Sequence, residues 1–402
     1  MFKGALPGFR DFYPQELAER AFIMNTWREV ARRYAFLEYD GPPLEPLDLY
    51  TKKSGDEIVG QLYTFVDKGG REVALRPEMT PTVARMVAAR ANALRKPVRW
   101  FSMPQLFRYE RQQKGRLREH FQLNVDIFGS SDVAADAELV ACAVDMMRAF
   151  ALTSSDVVVR ASDRRILQAF LESLGVPTDT VTSVYGVIDK LDRTPVETSV
   201  QKLLALGVPA QAIDRIVTIA SVGLVEVQER LAGSVAAVHA EDFARYVAYS
   251  SALLGGDASW LTLDLSIVRG LAYYTGIVFE LFDRSGEFRA ICGGGRYDTL
   301  LESLGGTDMP ALGFGMGDVV LGELLRSKGL MRPVDTATDC WRAADESIPV
   351  ERVMLAASRR RAAGQSVEYA LRAQSISKQK KAAQASGAKE FVTFSNDDAS
   401  NG

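Results

Sequence analysis

The stretch His120-Phe121-Gln122-Leu123-Asn124-Val125-Asp126-Ile127 alternates polar and apolar residues without interruption. Because successive side chains of a strand point to opposite faces, this alternation predicts a half-buried β-strand. Its polar face would carry the side chains of His120, Gln122, Asn124 and Asp126. So many hydrogen-bonding groups on one face exceed what a solvated sheet needs, and they favour a ligand-binding cleft.

The segment just upstream predicts a second strand, over Leu106–Arg111, with Arg108 and Glu110 on one face. The polar residues Gln112–Leu117 would join the two strands as a hairpin loop. We therefore expect two antiparallel neighbours that present acidic, basic and imidazole side chains from one surface.

Helices are expected on both sides of this hairpin. Apolar residues follow Pro14 at helical spacing, and they are Ile23, Trp27, Val30 and Tyr34. A second helix is predicted over Asp132–Phe150, where Asp132 can cap the amino terminus.

The chain changes character after residue 160. Residues 161–259 are predicted to be mainly helical, with Pro177, Pro195 and Pro209 as breakers, and they look like an insertion. Strands are expected to return at Trp260–Arg269 and Tyr273–Phe282. The predicted organisation is a first domain in two parts, 1–160 and 260–330, interrupted by 161–259 and followed by a separate domain over 331–402.

The last segment predicts a small α/β domain that begins near Pro333. Its elements are a helix through Ala356 and Ala363, a strand over Ser366–Leu371, a helix over Ser377–Gly387 and a strand over Glu390–Phe394. Between Glu351 and Glu390, nine Lys and Arg residues stand against three Glu residues. Such a cluster indicates either a phosphate-binding surface or an ordinary solvated face.

The composition excludes several classes of protein. The 402 residues are 47% hydrophobic and 25% charged with a net charge of −3, which is ordinary for a soluble protein of two or three domains. No apolar run approaches the roughly 18 residues that span a bilayer, and Met1–Arg10 has no signal-like pattern, so a cytoplasmic protein is expected. Cys142, Cys292 and Cys340 lack a metal-ligand spacing and are expected to be buried, reduced thiols.

Arginines in or beside strand-like segments indicate an anionic ligand. They are Arg76, Arg108, Arg116, Arg118, Arg269 and Arg296. Pairing with Glu110 or Asp298 would account for one or two of them, whereas several together suggest a triphosphate. The Gly-rich runs at 293–296 and 313–317 match neither a Walker loop nor a complete dinucleotide fingerprint, so side chains would hold the nucleotide.

Several segments resemble signature segments of the histidyl-tRNA synthetases, a class II aminoacyl-tRNA synthetase family. They are Pro7–Phe12, Leu75–Pro81, Phe107–His120 (similar to class II motif 2), Val268–Gly276 (similar to a segment particular to the histidine enzymes) and Ala311–Gly317 near the motif 3 position. The likeness extends roughly from Leu6 to Leu330 and is strongest to an organellar-like bacterial and plant branch.

The resemblance implies a fold and an activity. The fold would be α+β: a class II catalytic domain on an antiparallel sheet flanked by helices, with a helical insertion and a shortened anticodon-binding-like C-terminal domain, in a homodimer. The activity would be the ATP-dependent ligation of L-histidine to tRNA(His) through histidyl-adenylate. Mg²⁺ would accompany ATP, and no resident metal is implied.

The family's residue roles carry over where the motifs match. Histidine would be bound by Glu78, Thr80 and Gln122 at its head group and by Asp126 and Tyr274 at its imidazole, with Tyr273 alongside. ATP would be bound by Arg108, Glu110, Arg116, Arg118, His120 and Arg296. Arg108 and Arg269 would be the catalytic pair at the reacting carboxylate and phosphorus.

The chain departs from the family pattern at three places. Asp126 stands where many members have Glu, and Val320 stands where motif 3 usually offers an arginine stacked on adenine. Either Arg296 or another group compensates for that arginine, or ATP binding is weak. The C-terminal domain looks shortened and has no evident opening strand that ends in proline.

Two other functions fit parts of the pattern. A non-catalytic, histidine-sensing paralogue that regulates ATP phosphoribosyltransferase would suit the shortened tail, although Arg108 and Arg269 oppose it. A synthetase-like enzyme could instead activate histidine for an acceptor other than tRNA.

Overall fold

The structure, a computed structural model, describes residues 4–51, 56–110, 115, 117–268, 273–333 and 335–394. The chain divides into two compact units. The first comprises Met1–Phe12 and Glu19–Arg332, and the second comprises Tyr13–Ala18 and Pro333–Gly402.

The elements of the described residues are numbered in chain order. The strands are β1 (Leu37–Glu38), β2 (Leu44–Pro46), β3 (Tyr63–Val66), β4 (Glu72–Leu75), β5 (Val98–Ser102), β6 (Gln105–Phe107), β7 (Glu119–Phe128), β8 (Val157–Asp163), β9 (Leu261–Leu263), β10 (Ile277–Asp283), β11 (Cys292–Arg296), β12 (Ala311–Gly317), β13 (Cys340–Ala343), β14 (Val367–Tyr369) and β15 (Glu390–Thr393). The helices are α1 (Pro14–Arg33), α2 (Asp48–Thr51), α3 (Asp56–Val59), α4 (Thr80–Ala88), α5 (Val133–Ala149), α6 (Arg164–Ser173), α7 (Val181–Ile188), α8 (Val196–Ala205), α9 (Ala210–Val217), α10 (Leu224–Leu231), α11 (Ala237–Leu253), α12 (Leu300–Ser303), α13 (Asp318–Ser327), α14 (Val350–Ala362) and α15 (Ile376–Ala385). Short 3-10 turns occur at Leu191–Arg193, Ile219–Ser221 and Ala258–Trp260.

A central sheet organises the first unit. Among the described residues it has nine strands in the order β1-β5-β7-β12-β11-β10-β8-β9, with β6 paired to β7. Among the described strands of this sheet, only β1 with β5 and β8 with β9 pair in parallel, so the predicted antiparallel sheet of a class II catalytic domain is confirmed. The register of β12 on β7 sets Gly313 opposite Asp126 and Gly315 opposite Asn124. A separate antiparallel sheet has the order β2-β4-β3.

The strand that the alternating stretch predicts is β7. Its apolar residues are buried in one core cluster with residues of α1 and α5, and they are Leu123, Val125 and Ile127. The sequence predicts an exposed polar face for this strand, but two of its four polar residues, Asn124 and Asp126, are buried as well. The polar face of β7 is therefore closed at its Asp126 end and more open toward His120.

Both predicted flanking helices are confirmed. In α1, Ile23, Trp27 and Val30 are buried, and the Trp27 indole N–H donates to Met316 Sδ at 3.2 Å, which ties the helix to β12. The helix α5 begins after Asp132, whose side chain accepts a hydrogen bond from the Ala134 N–H at 2.8 Å.

Three predicted strands are shorter in the structure. The strand expected over Leu106–Arg111 is β6, which ends at Phe107, and part of the predicted hairpin loop lies outside the described residues. The strand expected over Trp260–Arg269 is limited to β9 because the Asp264 side chain accepts from the Ser266 N–H at 2.9 Å and turns the chain. The third, β10, starts at Ile277 instead of Tyr273.

The helical segment starts later than predicted. The expected boundary at residue 161 lies inside β8, an inner strand of the central sheet. Helices begin with α6 at Arg164, where Asp163 caps the amino terminus through the Arg165 N–H at 2.8 Å. The division of the chain into four segments remains a prediction. The helices of the predicted insertion run from Arg164, the start of α6, to Leu253, the end of α11.

The second unit contains a parallel sheet in the order β14-β13-β15 with α14 and α15. The helices and the two outer strands lie where the sequence predicts them. The central strand β13 was missed, because all four residues of Cys340–Ala343 are buried and an inner parallel strand has no alternating pattern.

The three cysteines are buried, as predicted, and within the described residues none of them forms a disulfide. Within the described ranges, no helix is both long and apolar enough to cross a membrane.

Candidate active site

A cleft of about 820 Å³ lies against the polar face of β7 and the neighbouring strands. This volume is near the upper end of the range for small-molecule sites, about 300–1,000 Å³. Glycines of β11 and β12 line it, namely Gly293, Gly313, Gly315 and Gly317. Because glycine has no side chain, these strands form a floor on which a ligand can approach the backbone.

Two glycines of this floor also make room for side chains of β7. A Cβ on Gly313 would overlap Asp126 Oδ1, and a Cβ on Gly315 would overlap the Gln122 amide. The glycine-rich pattern of β12 therefore permits both polar side chains to lie under the cleft.

Asp126 is 3% exposed and is not among the residues that line the cleft, but it lies against Gly313, which does line it. Its Oδ1 accepts a hydrogen bond from the Tyr297 hydroxyl at 2.5 Å, while its Oδ2 has no partner among the described residues. Burial raises the pKa of Asp126 to about 7, and the Tyr297 bond opposes that rise. A buried carboxylate oxygen without a donor is costly, so the position suits a ligand that brings an N–H group.

Polar side chains continue along β7 toward the open end. The Gln122 amide donates to Asn124 Oδ1 at 2.8 Å, and the Asn124 amide donates to the Gln122 carbonyl at 3.1 Å. His120 Nε2 lies 3.4 Å from Gln122 Oε1. Burial, followed by the charge of Arg108, lowers the pKa of His120 to about 3, so its ring is neutral at pH 7.

The cleft is also lined by four of the residues predicted to bind histidine or to lie beside it. The Tyr273 hydroxyl donates to Glu78 Oε2 at 2.9 Å, and burial raises the pKa of Tyr273 well above its usual value. The Tyr274 ring lies 5.1 Å from the Tyr273 ring, measured between centroids. Thr80, the first residue of α4, lines the cleft with these three.

Arg108 and Glu110 line the cleft just beyond β6. Arg108 Nε donates to the Pro77 carbonyl at 2.8 Å, which fixes the base of the guanidinium beside Glu78. The backbone N–H of Arg108 donates to the Arg118 carbonyl at 2.9 Å, so the strand pairing continues past the end of β6.

Arg118 is held by the amino-terminal segment of the first unit. Its guanidinium lies 4.1 Å from the Tyr109 ring centroid, and its backbone N–H donates to the Gly8 carbonyl at 2.9 Å. Gly8 has a φ of +87°, and a Cβ there would overlap the Arg118 side chain. Arg118 is not among the residues that line the cleft, and its contact with ATP stays a prediction.

The Gly-Asp form of the motif 3 region has a structural explanation. Asp318 accepts from the Phe121 N–H at 2.9 Å and pairs with Arg10 at 2.9 Å, and Arg10 also pairs with Glu119 at 2.7 Å. Asp318 thus joins the start of α13 to β7 and to the amino-terminal segment.

The structure corrects the prediction that Arg296 binds ATP. Arg296 is 5% exposed and pairs with Asp136 and, at 3.2 Å, with Asp298. Its guanidinium also donates to the Ser130 carbonyl at 2.9 Å. These partners hold the side chain away from the cleft, because a buried guanidinium requires nearby acceptors.

Two predicted residues, Arg116 and Arg269, lie outside the described residues, and their roles stay predictions. Val320, at the position of the missing motif 3 arginine, lines the cleft with Val319.

The sequence interpretation missed Tyr297, which orients Asp126, and three further cleft residues: Arg160, Glu280 and Arg289. Strand alternation could have found Arg160 and Glu280, because they are paired across β8 and β10. Tyr297 could have been found from its position directly after the Gly-rich run at 293–296, where a tyrosine hydroxyl can reach the cleft.

The chain is similar to known proteins of one family. The histidyl-tRNA synthetase family model matches residues 8–317. The histidine–tRNA ligase of Opitutus terrae is 44% identical over 401 residues, which are 98% of this chain and 91% of that protein. The chloroplastic/mitochondrial histidine–tRNA ligase of Arabidopsis thaliana is 44% identical over 324 residues, 81% of this chain and 66% of that protein.

Among solved structures, the histidyl-tRNA synthetase of Nostoc sp. PCC 7120 has the same fold, with a TM-score of 0.83, 23% identity, and coverage of 99% of this chain and 93% of that one. The family match spans the strands and loops that build the cleft, and the chain belongs to the histidyl-tRNA synthetase family.

Proposed function

We propose that the cleft activates L-histidine with ATP, forms histidyl-adenylate and transfers the histidyl group to tRNA(His). The observation that carries the proposal is the buried Asp126, with one oxygen bound by Tyr297 and the other without a described partner. A neutral imidazole has one N–H donor and one acceptor nitrogen. Asp126 accepts from the ring N–H, and the Tyr274 hydroxyl donates to the other nitrogen.

The head group of histidine binds at three further residues that line the cleft. Glu78, Thr80 and Gln122 offer a carboxylate, a hydroxyl and an amide oxygen, which match the three donors of an ammonium group. Glu78 is 3% exposed and holds the Tyr273 hydroxyl, so the carboxylate is oriented before histidine arrives. Tyr273 acts here as a positioning residue.

ATP binds toward the open end, near Arg108, Glu110, Arg118 and His120, and Arg116, which is outside the described residues, is proposed to bind it as well. A neutral, flat His120 ring suits contact with adenine. When the histidine carboxylate attacks the α-phosphorus, the bond to pyrophosphate breaks, and Arg108 and Arg269 stabilise the charge that develops on the phosphate oxygens.

Mg²⁺ is proposed to enter with ATP as part of the substrate. Within the described residues, no group of three His, Cys, Asp or Glu side chains is arranged to hold a metal, and Mg²⁺ in such sites is commonly held by phosphates with one or two carboxylates. When bound, it shares the phosphate charge.

The second unit is proposed to contact tRNA. Lys378, Lys380 and Lys381 are exposed on α15, and the last turn of α14 carries Arg359, Arg360 and Arg361. Phosphate groups of RNA attract such a basic surface. We further propose a homodimer in the cytoplasm, and light scattering of the purified protein tests the dimer.

The deciding experiment is exchange of labelled pyrophosphate into ATP. Exchange should require histidine, and Arg269→Ala should lower it by about 100-fold or more, the scale for losing one oriented donor at a reacting centre. Arg71→Ala is a control at an exposed arginine that pairs only locally, with Asp67.

The alternatives give different results in the same assay. Histidine binding without exchange would favour the regulatory paralogue. Exchange without charging of tRNA(His) would favour a different acceptor.

A further inference from the structure

The proposed function requires the Tyr274 hydroxyl to donate to one imidazole nitrogen, so the position of this residue decides how well histidine is bound. Tyr274 lines the cleft and is 7% exposed. It lies three residues before Ile277, the first residue of β10, and is therefore outside the regular strand. The contacts that hold its backbone determine where the hydroxyl lies.

The pairing of β8 with β10 shows which group should hold that backbone. It continues one step past both strands, where the Arg164 N–H donates to the Gly276 carbonyl at 3.2 Å. In an antiparallel ladder, the next bond of this kind comes two residues further along each chain. It would join the N–H of Ile166 to the carbonyl of Tyr274.

That backbone donor is missing, because the chain turns into α6 at Arg164. Ile166 is in this helix, and its side chain is buried in the main core. The side chain of Arg164 replaces the missing donor, since its guanidinium donates to the Tyr274 carbonyl at 2.8 Å. A hydrogen bond from a charged donor is stronger than one between neutral groups, so this bond fixes Tyr274 where the ladder ends.

The same peptide group is bound from its other side by the residues around β11. The Thr275 N–H donates to the Arg296 carbonyl at 2.8 Å, and the Thr275 hydroxyl accepts from the Asp298 N–H at 3.1 Å. The carbonyl of Tyr274 and the N–H of Thr275 are the two polar ends of one peptide group. Loss of Arg164 would therefore release one end of this group and leave the other end bound.

Arg164 is held in turn by α7 of the helical segment. The Tyr185 hydroxyl donates to the Arg164 carbonyl at 3.3 Å, and the Arg164 guanidinium lies 5.9 Å from the Tyr185 ring centroid. A cation at about this distance is attracted to the face of an aromatic ring. Arg164 thus connects α7 to the backbone of Tyr274, although it is not itself among the residues that line the cleft.

We propose that Arg164 is a positioning residue for histidine recognition, which acts through Tyr274 and makes the start of the helical segment part of the histidine site. The proposal rests on the function proposed above. Without the guanidinium, the Tyr274 carbonyl loses its donor, and the hydroxyl moves away from the imidazole nitrogen. The residues proposed to bind ATP keep their contacts, so ATP binding is spared.

The test separates histidine from ATP. In histidine-dependent pyrophosphate exchange, Arg164→Ala should raise the KM for histidine by about 10-fold and leave the KM for ATP nearly unchanged. Arg164→Lys keeps a charged donor on a long side chain but loses the planar group, so it should recover part of the loss.

A double variant distinguishes positioning from a general structural role. Tyr274→Phe removes the hydroxyl and should itself raise the KM for histidine. Adding Arg164→Ala to Tyr274→Phe should then raise it little further, because both changes remove the same contact. A residue with only a structural role would add the same fold-change in both backgrounds.

Arg230→Ala is the matched control in the helical segment. Arg230 is on α10, its guanidinium lies 5.4 Å from the ring centroid of Phe170 on α6, and it is not among the residues that line the cleft. The KM for histidine of this variant should stay at the wild-type value.

Three outcomes would overturn the proposal: an unchanged histidine KM in Arg164→Ala, an equal rise in its ATP KM, or a full additional rise in the Tyr274→Phe background. If Arg164→Ala does not fold, Arg164→Lys is compared in the same two backgrounds, with the same outcomes deciding. Failure of the proposed function is distinguishable, because the wild type would then show no exchange. In that case calorimetric titration of histidine into the wild type and the three variants decides the role of Arg164 alone.

Discussion

Replacing Asp126 by Asn should stabilise the free protein at high pH while it weakens histidine binding. The pKa of Asp126 is raised from 3.8 to about 7 by burial. In the folded protein the carboxyl is therefore protonated between these two pH values, while in the unfolded chain it is ionised. The contribution of this carboxyl to the stability of the wild type thus falls as pH rises from about 4 to 7 and is constant above that range.

The size of the effect follows from the shift. About three pKa units at 1.36 kcal/mol each give a cost of about 4 kcal/mol at pH 8. Asn removes this charge, but its buried amide donors lack the imidazole partner, which costs about 1–3 kcal/mol. We expect Asp126→Asn to be more stable than wild type by about 1–3 kcal/mol at pH 8 and slightly less stable at pH 5.

Histidine binding should change in the opposite sense. Loss of the carboxylate that accepts from the imidazole N–H should cost about 1.5–3 kcal/mol, or about 10-fold to 150-fold in the Kd for histidine at pH 8. ATP affinity should be nearly unchanged. Thermal melting at the two pH values and calorimetric titration with each ligand measure these quantities.

Asp283→Asn is the matched control at a second buried aspartate. Its oxygens accept from the backbone of Glu287 and Phe288 and from the Ser285 hydroxyl, so the variant should be less stable at both pH values. If Asp126→Asn were also less stable at pH 8, or lost ATP and histidine affinity equally, Asp126 would be a structural residue.

Other changes test the same geometry. Tyr297→Phe should raise the pKa of Asp126 further, because the hydroxyl lowers it, and should move the pH profile of histidine affinity upward by about one unit; an unmoved profile would refute this role. Gly313→Ala should weaken histidine binding by about 10-fold or more, whereas Gly317→Ala, whose Cβ meets nothing within 4 Å, should not; equal effects in a titration would contradict the assigned packing. Truncation after Pro333 should leave pyrophosphate exchange nearly intact and raise the tRNA concentration needed for charging, and an unchanged tRNA requirement would show that acceptor recognition lies in the first unit.

Local sequence patterns predicted the elements whose signal is contained in a few residues. The alternation of residues 120–127 predicted β7, helical spacing predicted α1, and Asp132 predicted the start of α5. These predictions succeed because side-chain periodicity reports directly on which face is buried. Boundaries were less accurate, as at residue 161, where a buried strand and the helix after it share an apolar composition.

The resemblance of short segments identified the family and the residues around the cleft. Of these, Glu78, Thr80, Gln122, Tyr273 and Tyr274 lie along its walls. The sequence could assign them together because each motif carries its own signature, independent of the distance between motifs in the chain.

The contacts between distant segments were decided by the tertiary structure alone. The partner of Arg296 and the hydroxyl that orients Asp126 lie in segments more than a hundred residues away along the chain. The need for glycine at position 313 follows from the register of β12 on β7. The same holds for β13, whose burial comes from the strands on both sides of it. A partner across a sheet is set by the packing of the whole unit, and no local pattern of residues encodes it.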